Sequence, residues 1–527
     1  MYHKKILVTI GILVVVIALL GVYVIHIHKP VPTEEQLIER FSEFKIQYQE
    51  KKAQGYNVSE AEESARRAKR AFDRKDYRTA NKLLDKAFEA LEMAEIPEVP
   101  IPTCGNQICE SEENGYSCPE DCCVSGDGIC REGCTPENDD DCKPTDLSQV
   151  KVASVYQKVT DGKLINRSVD DVINLVKETK INFIFRGFWI WGPCADSCSD
   201  LPPEVLEVYE QKGFDCEKEG YSYTHLKDAV AKIKREMPDV IFCGAIPAQR
   251  INFIEINPVT SKVYNQRETN VMALDPAKWG ITNVSKNQLQ KYFQEHGTGG
   301  VGYFPDITHP EFQDLILGWA KKQIDSGADA IWIDGLFSQA RVLEKITGNP
   351  NHPAVRESFE ASSKIVDEIH RYGQSRGKHI YVGTWWAFVE LPYPPPNLDF
   401  VTLTPSPEEV SSMHLDELKW DDRLEKIRDK QGDVPVFAFI DWAGTTNTPL
   451  GVFSQELSKE EQREFLKIAD DFFSKKGIIF IYPVHGGFMG QDATILSFGR
   501  SKTYDSLAPE FGTYETIKQL ALIKSSD

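Results

Sequence analysis

Residues 327–337, GADAIWIDGLF, end a short apolar run with an acid. Ile331, Trp332 and Ile333 carry side chains that suit a buried strand, whereas the carboxylate of Asp334 is costly to bury without partners. The stretch therefore predicts a core strand that stops at Asp334 and brings its carboxylate to the edge of a sheet. The next helix is expected only after Asn349, too far along the chain for Asp334 to cap it, which favours a functional role.

From about residue 148 to the end of the chain, short β-rich runs alternate with amphipathic helices. The predicted strands are 151–156, 182–188, 240–245, 330–334, 379–384, 400–404, 434–440 and 478–482. The predicted helices are 169–179, 225–236, 310–326, 354–375, 416–430 and 459–475, and the Pro-rich link 385–399 is not helical. Eight such steps predict an α/β fold, a (β/α)8 TIM barrel over residues 148–527. An open doubly wound sheet is the alternative, but the glycine-rich phosphate turn typical of it does not follow the first strand.

In such a barrel the chemistry lies at the carboxyl ends of the strands. The candidate residues at or beyond those ends are Arg186, Trp189, Trp191, Asp334, Trp385, Trp386, Glu390, Asp441, Trp442, Tyr482 and His485. Five of the nine tryptophans are among them. Sugar rings stack their C–H faces on indoles while acids engage the hydroxyls, so indoles beside carboxylates favour a carbohydrate ligand. His485 suits a packed loop residue equally well.

Residues 304–335, FPDITHPEFQDLILGWAKKQIDSGADAIWIDG, resemble a segment of barrel-fold glycoside hydrolases, including polygalactosaminidase-like families. In those families a D-x-T-x-P turn leads into a helix, and a strand of the form G-x-D-G-x-x-x-D follows. The turn of this chain begins at Asp306, its strand ends at Asp334, and Ala330 stands where the pattern has glycine. The resemblance covers this segment, while the rest of the barrel matches only in pattern.

The resemblance implies a glycoside hydrolase in which Asp334 is a catalytic carboxylate. Glycoside hydrolysis needs a second acid, since one group protonates the leaving oxygen and the other acts as nucleophile or base. Asp441 is the first choice, Glu390 the second and Asp306 the third. The pairing of two aspartates favours the longer carboxyl separation of about 6.5–9.5 Å, and hence inversion. The remaining polar candidates, Arg186, Tyr482 and His485, are expected to position the substrate or tune the acids.

Two long insertions, residues 192–221 and 246–309, are expected to form walls of the barrel mouth. Four cysteines lie in this part of the chain, namely Cys194, Cys198, Cys216 and Cys243. They are expected to cross-link the first insertion through disulfide bonds. The alternative is that Cys243 is buried and unpaired. A metal site at Cys194 and Cys198 is disfavoured because no histidines cluster there.

Residues 6–25, ILVTIGILVVVIALLGVYVI, carry no charge. At about 1.5 Å per residue they span roughly 30 Å, the thickness of the bilayer hydrocarbon. Small residues for signal cleavage do not follow, so an uncleaved anchor is favoured. Lys4 and Lys5 are expected to stay in the cytoplasm. Residues 1–29 are therefore predicted to be a cytoplasmic tip and a single-pass helix in the cell membrane, with the lipid bilayer as partner and the bulk of the chain outside.

Two smaller segments precede the barrel. Residues 33–96 have helical spacing and are predicted to form a helical hairpin, similar to those of tetratricopeptide repeats, that serves as a stalk or, alternatively, a docking surface. Residues 103–143 hold eight cysteines and few apolar residues, so a disulfide-rich module is predicted in an oxidising compartment. Zinc is disfavoured there, and no cofactor is expected. The alternative is calcium, and its candidate ligands are Asp127, Asp139, Asp140 and Asp141.

The net charge of −20 disfavours a nucleic-acid partner. The sequence favours a membrane-anchored extracellular glycoside hydrolase that acts on a polysaccharide or surface glycan. The alternative is a barrel that binds carbohydrate for adhesion and does not cleave it. A metal-dependent hydrolase is a third option, but the His-x-His pair of this chain, His26 and His28, adjoins the anchor and lies outside the barrel.

Overall fold

The computed structural model describes residues 32–53, 56–94, 118–123, 134, 147–160, 162–296, 302–441, 445–490 and 503–526. The chain divides into two compact units, Met1–Thr103 and Cys104–Asp527. The predicted membrane anchor, residues 6–25, lies outside the described residues. Among the residues that are described, none of the helices combines the length and the apolar character needed to cross a bilayer.

The second unit contains a closed barrel of parallel strands. In the described part of the chain its eight strands are β1 (Ala153–Tyr156), β2 (Phe183–Trp189), β3 (Ile241–Pro247), β4 (Ala330–Asp334), β5 (Tyr381–Trp385), β6 (Phe400–Leu403), β7 (Val436–Phe439) and β8 (Ile479–Phe488). Each strand pairs with the next along the chain, and β8 pairs in parallel with β1. The predicted TIM barrel is therefore confirmed, and the alternative prediction of an open doubly wound sheet is wrong. A short ninth strand, β9 (Thr503–Asp505), lies antiparallel on β8.

Helices follow the strands on the outside of the barrel. They are Gly162–Ile165, Val169–Glu178, Pro203–Gln211, Cys216–Glu219, Tyr223–Glu236, Gln266–Val271, Lys286–His296, Pro310–Asp325, Ser338–Thr347, Pro353–Ser375, Pro407–Ser411, Glu417–Gln431, Pro449–Gln455, Lys459–Lys475 and Tyr514–Ser526. Between β5 and β6 the described chain forms only the 3-10 helix Trp386–Glu390, which confirms that this link is not an α-helix. The six predicted helices are all present, and the pattern missed the others, including Ser338–Thr347.

Side chains that alternate along the strands form two cores, one between the strands and the helices and one inside the barrel. The inner core fills the barrel and is made of Leu147, Val150, Ala153, Val155, Phe183, Phe185, Ile241, Cys243, Ala245, Ala330, Trp332, Phe400, Phe437, Phe439 and Ile481. Trp332 is fully buried at its upper end, with its ring 5.3 Å from that of Phe185 and 5.9 Å from that of Phe439. Its indole Nε1 donates to Thr402 Oγ1 at 3.0 Å. The barrel is therefore packed rather than hollow, and its mouth lies above Trp332.

A buried ion-pair cluster holds the opposite end of β4. Lys234 Nζ and Lys378 Nζ each lie 2.7 Å from the carboxylate of Asp329, which also accepts the backbone N–H of Phe242 at 2.7 Å. Burial opposes the charge of Asp329, but the charges and hydrogen bonds of the two lysines outweigh it and lower its pKa. The cluster joins β3, β4, the start of β5 and the helix Tyr223–Glu236.

The first unit contains three helices among its described residues, Glu34–Ala53, Ser59–Asp73 and Tyr77–Glu92. The second and third form the predicted hairpin, and Asp76 caps the third by accepting from the backbone N–H of Thr79. The core includes Phe44, Val58, Ala61, Ala68, Leu84, Ala87 and Leu91. The unit is therefore larger than a single hairpin, because the first helix packs on the third.

The cysteines of the predicted disulfide module are oxidised where the structure describes them. Cys123 bonds to Cys134, and Cys118 and Cys122 are also disulfide-bonded. The aspartates named as calcium ligands lie outside the described residues. In the first insertion of the barrel, Cys198 bonds to Cys216.

The later cysteines correct one expectation. In the described part of the chain, Cys194 and Cys243 carry free, buried thiols, so the staple uses only two of the four late cysteines. The thiol of Cys194 points towards the backbone carbonyl oxygen of Tyr221, 3.9 Å away, in an apolar wall. Cys243 faces the inner core of the barrel from β3, which is the alternative foreseen for it.

Asp329→Asn tests the buried cluster. The substitution leaves two lysine charges without their carboxylate, so we expect a loss of about 3–5 kcal/mol in the free energy of unfolding, measured with urea. Asp471→Asn is the matched control, because Asp471 forms an exposed pair with Lys475 at 2.6 Å and its loss should cost less than about 1 kcal/mol. Equal losses in the two variants would contradict a structural role for the cluster.

Candidate active site

The carboxylate of Asp334 lies at the end of β4, in the mouth of the barrel. Trp385 Nε1 donates to its Oδ1 at 3.0 Å, and Gln249 Nε2 donates to its Oδ2 at 3.1 Å. The side chain is 16% exposed. Gly335 follows with φ 63°, a left-handed conformation that turns the chain away from the strand. The acid at the end of the apolar run is thus buried among donors and still open to the mouth.

The capping argument for Asp334 needs a correction. The helix Ser338–Thr347 begins four residues after Asp334, whereas the next helix was expected only after Asn349. The N-cap residue of this helix is Phe337, and no side chain forms a capping hydrogen bond there. Asp334 therefore does not cap the helix, although the reason first given for this was wrong.

Arg186 lies close to the carboxylate of Asp334. Its guanidinium carbon is 4.4 Å from the ring centroid of Trp189 and 4.4 Å from that of Trp332, and its Nη2 is 3.9 Å from Asp334 Oδ2. The residue has φ 59°, and the register of β2 against β3 shifts between Ile184 and Phe188. A left-handed, non-glycine residue inside a strand is strained, so the surrounding contacts must hold it there. Of the two roles predicted for Arg186, its exposure of only 2% favours tuning of the acids over contact with the substrate.

Asp441 follows β7, and its negative charge acts on the same arginine. Its backbone N–H donates to Thr404 Oγ1 at 3.2 Å. Burial lowers the pKa of Arg186 to about 10, while the negative charges of Asp334 and Asp441 act against that shift. The predicted acids of the fourth and seventh strands therefore both act on one guanidinium.

The predicted tryptophans divide between the mouth and its walls. Trp189 and Trp385 both contact Trp332, with ring centroids 6.4 Å and 6.0 Å apart. Trp191 packs in the first insertion, where its ring is 4.9 Å from that of Phe214. Trp386 lies 5.1 Å from the guanidinium of Arg423. Trp442 is outside the described residues. Trp385 thus lies directly beside Asp334, and Trp189 lies beside Arg186.

The second and third choices for a catalytic acid have other partners. Glu390 pairs with Arg341 at the end of the 3-10 helix, and its side chain is 35% exposed. Asp306 accepts from Lys278 Nζ at 2.8 Å and from Gln339 Nε2 at 3.0 Å. Burial opposes the charge of Asp306, but these hydrogen bonds and that of Thr308 outweigh it and lower its pKa. Asp306 therefore fixes its turn, and Glu390 lies on the outer wall.

Tyr482 and His485 do not open into the mouth as predicted. Tyr482 points from β8 to the helical layer, where its hydroxyl donates to Asp470 Oδ1 at 2.6 Å. His485 Nδ1 is 2.5 Å from Asp505 Oδ2 on β9, and Arg167 binds the same carboxylate with two hydrogen bonds, of 3.0 and 3.2 Å. These contacts attach outer elements to β8, so their assignment to substrate binding is corrected.

The side wall of the mouth contains a buried acid that the sequence did not single out. Glu255 is 1% exposed, and its Oε1 accepts the backbone N–H of Asn252 at 3.0 Å. Within the described residues its Oε2 has no hydrogen-bond partner. Burial raises the pKa of Glu255 to about 7. Arg250 Nη2 donates to the backbone carbonyl of Trp191 at 2.9 Å, which joins this wall to the first insertion.

The remaining groups near the acids carry no cluster of metal ligands. Within the described ranges, no three His, Cys, Asp or Glu side chains come together in a way that could hold a metal ion.

No protein-family model matches the chain, and no curated protein matches it. The chain is similar to the glycoside hydrolase domain of PelA from Pseudomonas aeruginosa, at 14% identity and a TM-score of 0.28 over 55% of this chain and 92% of that one. It is also similar to Eubacterium rectale Amy13B, at 11% identity and a TM-score of 0.39 over 72% and 78% of the two chains. The debranching enzyme of Nostoc punctiforme gives 11% identity and a TM-score of 0.39 over 72% and 80%. The similar structures include glycoside hydrolases, as the resemblance of residues 304–335 predicted.

Glu255 predicts a pH dependence of stability. Its raised pKa means that the folded state prefers the neutral acid, so its contribution is complete below about pH 4.5 and is lost as the pH rises through about 7. Glu255→Gln has no charge to bury, so it should not lose stability in this pH range. As the pH rises from about 4.5 to about 7, we expect its free energy of unfolding to increase by about 3 kcal/mol relative to that of the native chain. Thermal unfolding of the native chain and the variant at several pH values measures this difference. Glu210→Gln, at an exposed position, is the control. A native-like pH dependence in Glu255→Gln would contradict the assignment.

Proposed function

We propose that the barrel is a glycoside hydrolase that cleaves a polysaccharide with Asp334 and Asp441 as its carboxylate pair. The observation that carries this proposal is that both acids, from β4 and β7, act on the buried guanidinium of Arg186 at the carboxyl ends of the strands. Active sites of TIM barrels lie at this end. The carboxylate of Asp334 lies 3.9 Å from the guanidinium, and the charge of Asp441 acts on the same group.

The surroundings of the pair suit a sugar. Trp189 and Trp385 are partly exposed in the mouth, and indole faces stack on the C–H faces of sugar rings. Trp385 also orients Asp334 through its indole N–H. A bound sugar would therefore lie against the indole that positions the acid. One acid would protonate the leaving oxygen while the other attacks the anomeric carbon or activates water.

A membrane-anchored, extracellular location is part of the proposal. The apolar residues 6–25 have the length of a bilayer span, and the disulfides Cys123–Cys134 and Cys198–Cys216 suit an oxidising compartment. The substrate would then be a polysaccharide or glycan at the cell surface.

Asp334→Asn and Asp441→Asn test the catalytic pair. Each should lower kcat/KM on the cleaved polysaccharide by about 10²–10⁴-fold, because each removes a group that acts in the transition state. The measurement is the release of reducing ends from a polysaccharide panel, with circular dichroism to check folding. Asp471→Asn, an exposed acid on the outer helix Lys459–Lys475, should keep native activity.

Two results would count against this assignment. Native rates in Asp334→Asn would remove Asp334 from the catalytic machinery. Tight binding of a glycan by the native chain, with no cleavage of it, would favour the carbohydrate-binding alternative, which needs the indoles but no pair of acids.

The proposed anchor predicts the behaviour of the whole chain on fractionation. The full chain should stay with the membrane pellet after an alkaline carbonate wash, because burial of about 20 apolar residues opposes release. A chain that starts at Thr33 and carries a cleavable secretion signal should be soluble. Release of the full chain by carbonate would contradict the anchor and leave the barrel chemistry untouched.

A further inference from the structure

The two oxygens of the Asp334 carboxylate accept hydrogen bonds from two different parts of the chain. Trp385, at the end of β5, donates its indole N–H to Oδ1 at 3.0 Å. Gln249, in the insertion after β3, donates its amide to Oδ2 at 3.1 Å. The torsion that turns an aspartate carboxyl group is soft, so a carboxylate without partners has no single plane. With one donor on each oxygen, a turn of the carboxyl group lengthens both hydrogen bonds, and the donor pair of Gln249 and Trp385 therefore fixes its plane.

The backbone places Gln249 at the level of this carboxylate. The register of β3 on β4 sets Pro247 opposite Asp334, and the N–H of Ala248 donates to the backbone carbonyl of Asp334 at 2.8 Å. The side chain of Gln249 starts one residue later. Because the backbone hydrogen bond already ties the insertion to β4, that tie does not depend on the Gln249 amide.

The surroundings of the Gln249 amide leave room for it and set its orientation. A Cβ at Gly335 would lie 2.6 Å from the amide carbon of Gln249 and 2.8 Å from Ser338 Oγ, so a side chain at this position would displace the amide. Ser338 Oγ lies 3.4 Å from Gln249 Oε1, which a hydroxyl can approach as a donor. The reverse orientation of the amide would set Oε1 against a carboxylate oxygen, two acceptors together. The NH₂ group therefore faces Asp334.

The donor pair lies where water has access. Gln249 and Trp385 are half-buried, and the side chain of Asp334 is 16% exposed. A polar group in such a place can bond to water and needs no partner from the protein. Satisfying a buried amide is therefore not the reason for the contact between Gln249 and Asp334. What the contact changes is the freedom of the carboxylate to turn.

We propose that Gln249 is a positioning residue that, together with Trp385, holds the carboxylate of Asp334 in the orientation needed for cleavage. The inference rests on the proposed glycoside hydrolase function and assigns Gln249 a role that it exerts through Asp334. A carboxylate that attacks the anomeric carbon, activates water or protonates the leaving oxygen must direct one oxygen at its target. Misplacement of a reacting group by about 1 Å can cost about 10²-fold in rate.

Two substitutions of Gln249 separate positioning from packing. The probe is a panel of soluble polysaccharides of hexoses and N-acetylhexosamines, and kcat and KM are measured on the member that the native chain cleaves. Gln249→Met removes the donor at similar length, so we expect kcat to fall by about 10–10²-fold with KM within about threefold of native. Gln249→Glu keeps the shape but sets a second acceptor against the carboxylate, so kcat should fall further. A packing role predicts the opposite order, and that order would overturn the inference.

Gln431→Met is the matched control for the loss of a glutamine amide. Gln431 is half-buried, and its Nε2 donates to the backbone carbonyls of Pro396 and Leu398, at 2.7 and 3.2 Å, in the link before β6. This variant should keep the native kcat. An equal loss of kcat in Gln431→Met and Gln249→Met would show that the loss comes from the fold and not from the position of Asp334.

A second donor variant tests whether the pair acts together. Trp385→Phe removes the indole N–H and keeps an aromatic ring. Because loss of either donor lets the carboxyl group turn, we expect the double variant Gln249→Met/Trp385→Phe to lose less kcat than the product of the two single losses. Losses that simply multiply would mean that the two bonds act independently, and a jointly fixed carboxylate would then be wrong.

A double-mutant cycle tests the contact without any activity. Gln249→Met is combined with Asp334→Ala, and urea unfolding gives their coupling. We expect a coupling of about tenfold in the unfolding equilibrium constant, as for a hydrogen bond to a charged group. Asp334→Ser replaces Asp334→Ala if the latter does not fold. Absence of coupling would overturn the inference even in an active enzyme. A native chain that cleaves no member of the panel would remove the proposed function, while the coupling would still show whether Gln249 holds Asp334.

Discussion

A guanidinium buried in a protein must find counter-charges, because desolvation of an unpaired ion costs several kcal/mol. Arg186 is such a group, and its position constrains the whole upper end of the barrel. Its lowered pKa reports the burial, and the acids at the ends of β4 and β7 oppose it. Since the strands are parallel and the barrel is closed, their carboxyl ends all lie at one rim. The closed topology is what allows acids more than one hundred residues apart in sequence to serve one cation.

The floor of the mouth follows from the inner core. Trp332 fills the centre of the barrel below Arg186, and Phe185 and Phe439 pack against its edge. A smaller residue at Trp332 would open a cavity beneath the arginine and remove one of its two stacking partners. The same tryptophan therefore completes the hydrophobic core and supports the charged group above it. Trp332 thus has a role in both the core and the site, although the sequence identifies it only as part of a strand.

The sequence predicted the elements of the barrel well because each strand and most helices carry a clear period. It also predicted the place of Asp334, since an acid at the end of a buried strand is expected at the edge of the sheet.

The orientation of Tyr482 was not predictable in the same way. A strand that is buried on both faces has no polar alternation, so the face of each side chain depends on the register of the closed sheet. Gln249 comes from an irregular insertion, where no period distinguishes one polar residue from its neighbours. The helix Ser338–Thr347 is short and begins three residues after the left-handed Gly335, so its pattern resembles a loop.

Arg186 also explains why the strain in β2 persists. A regular strand would place residue 186 without a positive φ, and the left-handed conformation costs of order 1 kcal/mol or more. The bulge that accompanies it shifts the pairing of β2 with β3 and lets the guanidinium lie between Trp189 and Trp332. The two stacking contacts and the nearby carboxylate of Asp334 act against this cost. The strained backbone of β2 thus holds the guanidinium against the indoles and beside the carboxylate at the mouth.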